Sequence, residues 1–562
     1  MMSILSKKII IAFLASLWLC YDQVAASDIY DVIIIGAGWS GLAAANYLIE
    51  AGITQNILIL EARNRIGGRS YTREDAFKRG HPVELGSGWI YPGTNVFDLV
   101  EKLGISHDTT HYEFDTIGLY KNSTGELSED EKSILVDQDF LKDFVKYADK
   151  NSANEVDWIE IKESYFAENP FMTNLERQSI NALVHAGITI EFGSPLSDTN
   201  SETTKEYLER GDWRDIEFMA VPGGTGGGYT GALTRGLAQN FAEKIKTNEP
   251  VVKVDQQGDI LEVYTSNGRV PLGVLKSSSI EFVPPLNDEK LEAIDLIGMG
   301  NMNKVIMYWD KSIQDVSWWP RGKIELQLIT DEDSTSDEWT YFYVDESHNG
   351  NEDYHVLTSW CGGDACDRLE LLSDQETIDL VLGNLRTMLG NNVPAPSERI
   401  ITRWRSDEFS GGAYSYDADT GGFDSSSYRK TLFERMGNIF FAGEATDSDG
   451  WHGTAVAAYT SGVKAASNVE DSGILELPPP QFFPQCTKMH GDCGGQFDEP
   501  CCGGLSCVMD SRLSPVPSIN GDLKTITKSI RKVCTAAQRG KRDRLRVGSI
   551  SMYHRVSRRA GD

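Results

Sequence analysis

From Asp31 to Arg69 the chain reads DVIIIGAGWSGLAAANYLIEAGITQNILILEARNRIGGR, and that order limits sharply what it can fold into. Val32 to Ile35 is a short apolar run of the length of one buried parallel strand. Gly36, Gly38 and Gly41 follow in G-x-G-x-x-G spacing, and a helix pattern runs from Leu42 to Glu50. A second apolar run, Ile57 to Leu60, ends on Glu61, 20 residues after Gly41. Gly36 permits a tight turn, Gly38 lets a pyrophosphate approach the backbone, and Gly41 lets helix and strand pack closely. The helix N-terminus then faces the phosphates, and Glu61 can accept hydrogen bonds from a ribose. Strand, glycines, helix, strand and acid in register predict an α/β unit that binds an adenine dinucleotide.

The next residues choose among dinucleotides. Glu61 to Arg69 (EARNRIGGR) adds a second glycine turn, with Gly68, and three arginines, Arg63, Arg65 and Arg69. Arginines there can neutralise a pyrophosphate as the chain doubles back along a flavin. This stretch resembles the flavin-containing amine oxidase family, which includes monoamine, polyamine and L-amino acid oxidases and lysine-specific histone demethylases. The resemblance continues through ELGSGWI (84–90), VPLGVLK (270–276), MNKVIMYW (302–309), RWRSDEFSGGAYSY (403–416), FFAGEAT (440–446) and AAYTSG (457–462), covering about residues 28 to 470 in the family's order.

The resemblance implies a site. FAD contacts fall on Gly36, Gly38, Gly41, Glu61, Arg63, Gly68 and Arg69, on Gly86, Ser87 and Trp89 beneath the flavin, and on Val251, Glu444 and Thr454. Lys304 matches the lysine that holds a water near the flavin, and a lysine within an apolar segment is expensive to bury without such a task. Tyr414 matches the aromatic wall facing the amine. Ala413 stands where monoamine oxidases carry the cysteine that bonds the flavin, so noncovalent FAD is expected. Tyr91 lies where many polyamine oxidases have a His or Glu that contacts substrate nitrogens, and Trp451 is a further substrate-side candidate, with His452 beside it. The reading is an oxidase of primary or secondary amines, polyamines favoured, reducing O2 to peroxide. The alternatives are an L-amino acid oxidase and a catalytically impaired flavoprotein that acts by binding.

Architecture follows from discontinuity: a Rossmann-type FAD domain in three pieces (28–110, 220–305, 400–470) and an α+β substrate domain (112–215, 305–398). One block departs from the family. The strand normally found before PLGVLK has almost no room between Thr265 and Pro271, so either about a dozen residues are missing or the sheet closes differently; the first is the expectation.

The ends read separately. Lys7-Lys8, an apolar run from Ile9 to Cys20 and Val24-Ala25-Ala26 form a signal-peptide pattern over 1–26, too short to span a bilayer, and no span is expected after its removal. Eight cysteines then remain. Cys486, Cys493, Cys501, Cys502, Cys507 and Cys534, behind Pro478–Pro480, resemble a knottin-like framework over 481–537. That resemblance implies pairs Cys486–Cys502, Cys493–Cys507 and Cys501–Cys534, although sequence alone permits 15 connectivities. Cys361 and Cys366 are either a disulfide or two buried thiols. No metal site is expected, since the C-x2-C spacing that zinc favours is absent. Net charge is −30, yet residues 539–562 carry eight Lys or Arg against two Asp, a +6 stretch without apolar periodicity, so 538–562 is expected to be a basic disordered tail. The acidic body argues against nucleic acid as a partner. The C-terminal module is expected to meet an extracellular polymer or protein, and Asn122-Ser123-Thr124 is a glycosylation sequon.

Overall fold

The computed structural model describes residues 29–475, apart from 78–81, 89, 92, 106–107, 111–116, 122–124, 127, 129–138, 153–156, 191, 202–217, 221–228, 259, 266–271, 311–316, 322–324, 330–340, 346–353 and 419–424, together with 507–509, 532–534 and 545–547. The signal-peptide pattern, Trp89, the sequon and four of the six C-terminal cysteines therefore lie outside the described residues.

Apolar strands build the dinucleotide half. Val32–Ile35 pairs in parallel with the fully buried Ile57–Leu60, which pairs in parallel with Ile245–Lys246. Helix Trp39–Glu50 buries Trp39, Leu42, Ala43, Ala45 and Leu48, a helical stripe toward the sheet. Burying either leucine contributes about 1.5–3 kcal/mol. Its other contact is helix Ala455–Asp471, and the two backbones touch: a Cβ at Gly462 would lie 2.1 Å from the Ser40 carbonyl oxygen. Any larger residue at 462 would push the helices apart.

A smaller sheet lies beside it. Val251–Asp255 pairs antiparallel with Leu261–Thr265 and in parallel with Glu281–Val283. The free edge of Leu261–Val263 is taken by Leu545–Val547 from the basic tail, which also pairs with Ile29–Tyr30. A strand from the far end of the sequence thus covers this exposed edge. The tail, expected to lack structure, supplies that strand.

A seven-stranded sheet carries the other half, in the order Glu398–Ile401, Met302–Asp310, Tyr354–Gly362, Tyr341–Asp345, Glu325–Ile329, Ile117–Lys121, Gly125–Glu126. All neighbours are antiparallel except Glu325–Ile329 with Ile117–Lys121. Helix Asp374–Leu389, started by a Ser373–Glu376 capping box, packs Val381, Leu382 and Leu385 against Trp309, Leu326 and Phe342. Cys361 and Cys366 form a disulfide at the end of Tyr354–Gly362. Three helices, Asp139–Ser152, Trp158–Glu168 and Asn174–Val184, enclose a separate core around Phe144, Trp158 and Ile180.

The chain divides into two compact units: 26–474 with 544–548, and 1–25, 475–543 and 549–562. In the second, Cys507–Met509 and Lys532–Cys534 form an antiparallel pair with Cys507 opposite Cys534. Among the described residues, no helix is long and apolar enough to cross a membrane.

Candidate active site

The glycine turn is an open cradle. Gly36 adopts φ +97° and donates its N–H to the Leu60 carbonyl oxygen at 2.7 Å, folding the chain sharply off the strand. Gly38 caps the Trp39–Glu50 helix without a side-chain hydrogen bond, so the first N–H groups await an acceptor. A Cβ at Gly38 would meet nothing within 4 Å, whereas one at Gly41 would lie 2.1 Å from the Gly36 carbonyl oxygen. Space lies on the outer side of the turn and contact on the inner side. The second glycine turn stacks on the first: the Gly67 N–H donates to the Ala37 carbonyl at 2.8 Å, and a Cβ at Gly68 would sit 3.3 Å from Gly38 Cα. Uncapped donors beside empty space fit a dinucleotide pyrophosphate.

Glu61 helps hold the cradle's shape. Its Oε2 accepts from the Ala37 N–H and its Oε1 from the Arg63 N–H, both at 2.8 Å. Acceptor capacity remains on both oxygens for a ribose. Val251 is buried, and just before it the Glu249 N–H donates to the Glu61 carbonyl oxygen at 2.9 Å, which brings the two segments side by side.

The three arginines have partners within the protein. Arg63 forms a two-pronged pair with Asp407 at 2.7 and 2.8 Å and also bonds Ser410. Arg65 lies over the Tyr71 ring and donates to the Gly68 carbonyl. Arg69 donates to the Ala413 carbonyl and to Glu444, both at 2.8 Å. Arg63 and Arg69 join the 61–69 turn to the 407–413 segment, whereas Arg65 stays beside the turn itself.

Beneath this lies a wall. Gly86 rests on the Arg69 backbone, where a Cβ would come within 1.6 Å of the carbonyl oxygen, and Ser87 bonds Ser70. Lys304, on the doubly flanked strand Met302–Asp310, is 5% exposed. Its Nζ donates to the carbonyl oxygens of Gly86 at 2.7 Å and Glu84 at 3.1 Å and lies 5.2 Å from the Trp360 ring centroid. An ammonium has three donors, so one remains for the site. Burial holds the Lys304 pKa down to about 8, against the opposing pull of Glu84. The Glu84 carboxyl accepts from Thr72 Oγ1 at 2.7 Å, from Thr230 Oγ1 and from the Thr230 N–H at 3.1 Å. Burial pushes it up to about 7, despite those hydrogen bonds and the Lys304 charge.

The opposite side is organised by Glu444. Tyr414 anchors its hydroxyl on the Ile190 carbonyl at 2.8 Å, which fixes its ring. Ala413 offers no thiol. The Glu444 carboxylate accepts from Arg69, from the Ser415 N–H and Oγ and from the Gly453 N–H. These donors make it a strut between three segments. Burial would raise its pKa, but the Arg69 charge, the bonds from Ser415 and Arg69, and the Arg429 charge hold it down to about 2. Thr454 caps helix Ala455–Asp471 with its own hydroxyl, accepting from the Ala457 N–H at 3.2 Å. Tyr91 and Trp451 meet edge to face at 5.5 Å, and Trp451 remains exposed. His452 lies inward, 3.8 Å from Asp417, and burial, then the Arg429 charge, hold its pKa down to about 4.

Two functional partners escaped the sequence reading. Glu84 carried a detectable signal, an acid inside a short apolar strand; Arg429 carried none.

A profile of the family described as flavin containing amine oxidoreductase matches residues 39–470. The chain belongs to that family. This amine oxidoreductase is 29% identical over 492 residues to polyamine oxidase 2 of Arabidopsis thaliana, covering 80% of this chain and 91% of that protein. It is 30% identical over 470 residues to lysine-specific histone demethylase 1 homolog 1 of the same plant, covering 78% of this chain. It spans about half the length of such demethylase relatives, 52% in that case. Among solved structures, putrescine oxidase bound to putrescine superposes with a TM-score of 0.60 at 19% identity, covering 79% of this chain and 99% of that one, which shows a shared fold. The family implies a flavin, and the cradle fits one.

Proposed function

We propose that this amine oxidoreductase binds FAD noncovalently and oxidises a primary or secondary amine, polyamine favoured, with O2 as acceptor and peroxide as product. The observation that carries the reading is Lys304: a buried ammonium with one donor left, set on the carbonyls of the segment that the family places beneath its flavin. The cradle would hold the dinucleotide through Gly36–Gly41, with Glu61 toward its ribose. FAD, when bound, supplies the two-electron acceptor. Everything else falls to the chain's own groups. Tyr414 presents a fixed aromatic face that excludes water and orients an amine lone pair. Lys304 offers its third N–H to a water or reacting group, and its depressed pKa lets it exchange a proton near neutral pH. Support for a polyamine comes from the named relatives and from the putrescine oxidase fold; Tyr91 in the His or Glu position leaves the choice of amine to experiment. Ala413 supports noncovalent attachment. The Lys7–Ala26 pattern supports export, and the C-terminal cysteines support an extracellular partner.

The experiment is a peroxide assay on purified, flavin-loaded protein with diamines, polyamines, monoamines and L-amino acids. Turnover of a di- or polyamine supports the reading. Turnover of L-amino acids alone would replace it, and a stable flavoprotein inert to every amine would sink it.

A further inference from the structure

Lys304 has a second neighbour that the amine-oxidase reading does not use. Glu84 meets it through its own carbonyl oxygen, while its carboxyl points into a sealed pocket made by three donors: Thr72 Oγ1, Thr230 Oγ1 and the Thr230 N–H. Strand Val83–Glu84 pairs with Thr72–Arg73, placing Thr72 directly opposite Glu84. Thr230 stands at the start of helix Tyr229–Ala238, whose N-terminal N–H groups favour an anion. The carboxyl is 3% exposed and Lys304 5%, so neither is screened by water. Each is a charged influence on the other. Of the other groups around them, Thr72, Thr230, the Trp360 ring and the carbonyls of residues 84 and 86 do not titrate, and Glu74, beside Thr72 and Gly231, is exposed and paired with Arg235.

We propose that Glu84 is a positioning residue that sets the charge of Lys304, so that the proton carried by the lysine at neutral pH is decided by a carboxyl buried behind the wall. The inference rests on Lys304 serving the proposed oxidase, and it concerns how that lysine is tuned. A carboxylate held by two neutral hydroxyls and one backbone N–H is stabilised enough to ionise, but not so strongly that it stays ionised at every pH. When Glu84 is charged, Lys304 is favoured as ammonium; when it is neutral, the buried amine releases its proton more readily. Two groups whose pKa values are both drawn toward neutrality titrate as a pair.

The test uses the FAD-loaded full chain without substrate, so it does not depend on amine turnover. The flavin visible spectrum is titrated from pH 6 to 10 in wild type, Lys304→Met and Glu84→Gln. A wild-type transition near pH 8, absent in Lys304→Met, reports the lysine. Glu84→Gln keeps the hydrogen-bonding shape but removes the charge, and should move that transition down by about one pH unit or more. Should Glu84→Gln not retain flavin, Thr72→Val takes one donor from the carboxyl and must shift the transition in the same direction by less. A Glu84→Gln protein that holds flavin and titrates at the wild-type pH overturns the proposal, as does a wild type with no lysine-dependent transition. Amine turnover is measured separately: its absence would refute the oxidase reading while leaving the titration to decide the role of Glu84.

Discussion

Glu444 and Glu84 are 4% and 3% exposed, yet the first stays ionised down to about pH 2 and the second gives up its charge near 7. Depth is the same; the donors differ. Glu444 faces the Arg69 guanidinium, with Arg429 close by, and accepts from two backbone N–H groups and a hydroxyl. The Glu84 carboxyl faces two hydroxyls and one N–H, and the nearby Lys304 amine, bonded to its backbone carbonyl, is one that burial has itself weakened. A guanidinium keeps its charge at any pH of interest, so a carboxylate beside it is held ionised. A buried lysine is a partner that can withdraw. One side of the site is thus built to be fixed and the other to respond.

That contrast breaks first at Glu444. Glu444→Ala leaves the buried Arg429 and the partly buried Arg69 without this counter-charge and strips acceptors from Ser415 and Gly453. The expected cost is about 3–5 kcal/mol with loss of retained flavin, read by urea unfolding and by flavin absorbance after gel filtration. A variant as stable as wild type would show that the strut is dispensable. On the responsive side, Lys304→Met should fold and hold FAD, because methionine fills similar volume. It should slow flavin reduction or reoxidation about a hundredfold, equivalent to about 2.7 kcal/mol. Stopped-flow measurement of both half-reactions decides this, and unchanged rates in both would make Lys304 a bystander.

The pH dependence of stability sharpens the comparison. For Glu444 the folded pKa lies below the unfolded one, so its contribution is present above about 4.5 and is lost as pH falls toward 2. For Glu84 the folded pKa lies above the unfolded one, so its contribution is present below about 4.5 and is lost as pH rises toward 7. Unfolding free energy should therefore climb from pH 3 to 4.5; from 4.5 to 7 the loss of the Glu84 contribution, about 2 kcal/mol, opposes a similar gain from His452, whose folded pKa of about 4 lies below the unfolded one, and the limb is nearly flat. Glu84→Gln should turn the second limb into a rise and leave the first unchanged. An identical second limb in the variant would assign it to another group.

The smallest effect is expected far from both carboxylates. Deleting 538–562 removes Leu545–Val547 from between Ile29–Tyr30 and Leu261–Val263. With only three residues lost from the sheet, about 1 kcal/mol or a few degrees in Tm is expected, with flavin spectra and their pH response unchanged. A wild-type Tm after deletion would mean the edge needs no cover.

The fixed and responsive sides were not equally legible. The cradle could be read from sequence because it is made of backbone within 40 residues: glycine spacing reports φ and close approach, and apolar runs report buried strands. Lys304 announced itself by the cost of burying a charge in MNKVIMYW. The partners of those residues did not. Thr230 lies 146 residues from Glu84, and Arg69 lies 375 from Glu444, so their meeting is a property of the fold that no local pattern carries. The ladder partner at 545–547 failed to show for the same reason: edge pairing depends on which backbone reaches the edge, and three residues in a basic tail carry no strand period.

The strand that holds Lys304 is paired along nine residues on one side and four on the other. Amides in such a setting exchange with solvent only when the domain opens globally. A slip of one position would carry the lysine to the opposite face of the sheet. The lysine therefore has no slow conformational freedom through which to adjust. Its answer to its surroundings is a proton gained or lost, delivered as fast as protons move and without waiting for any part of the chain to rearrange.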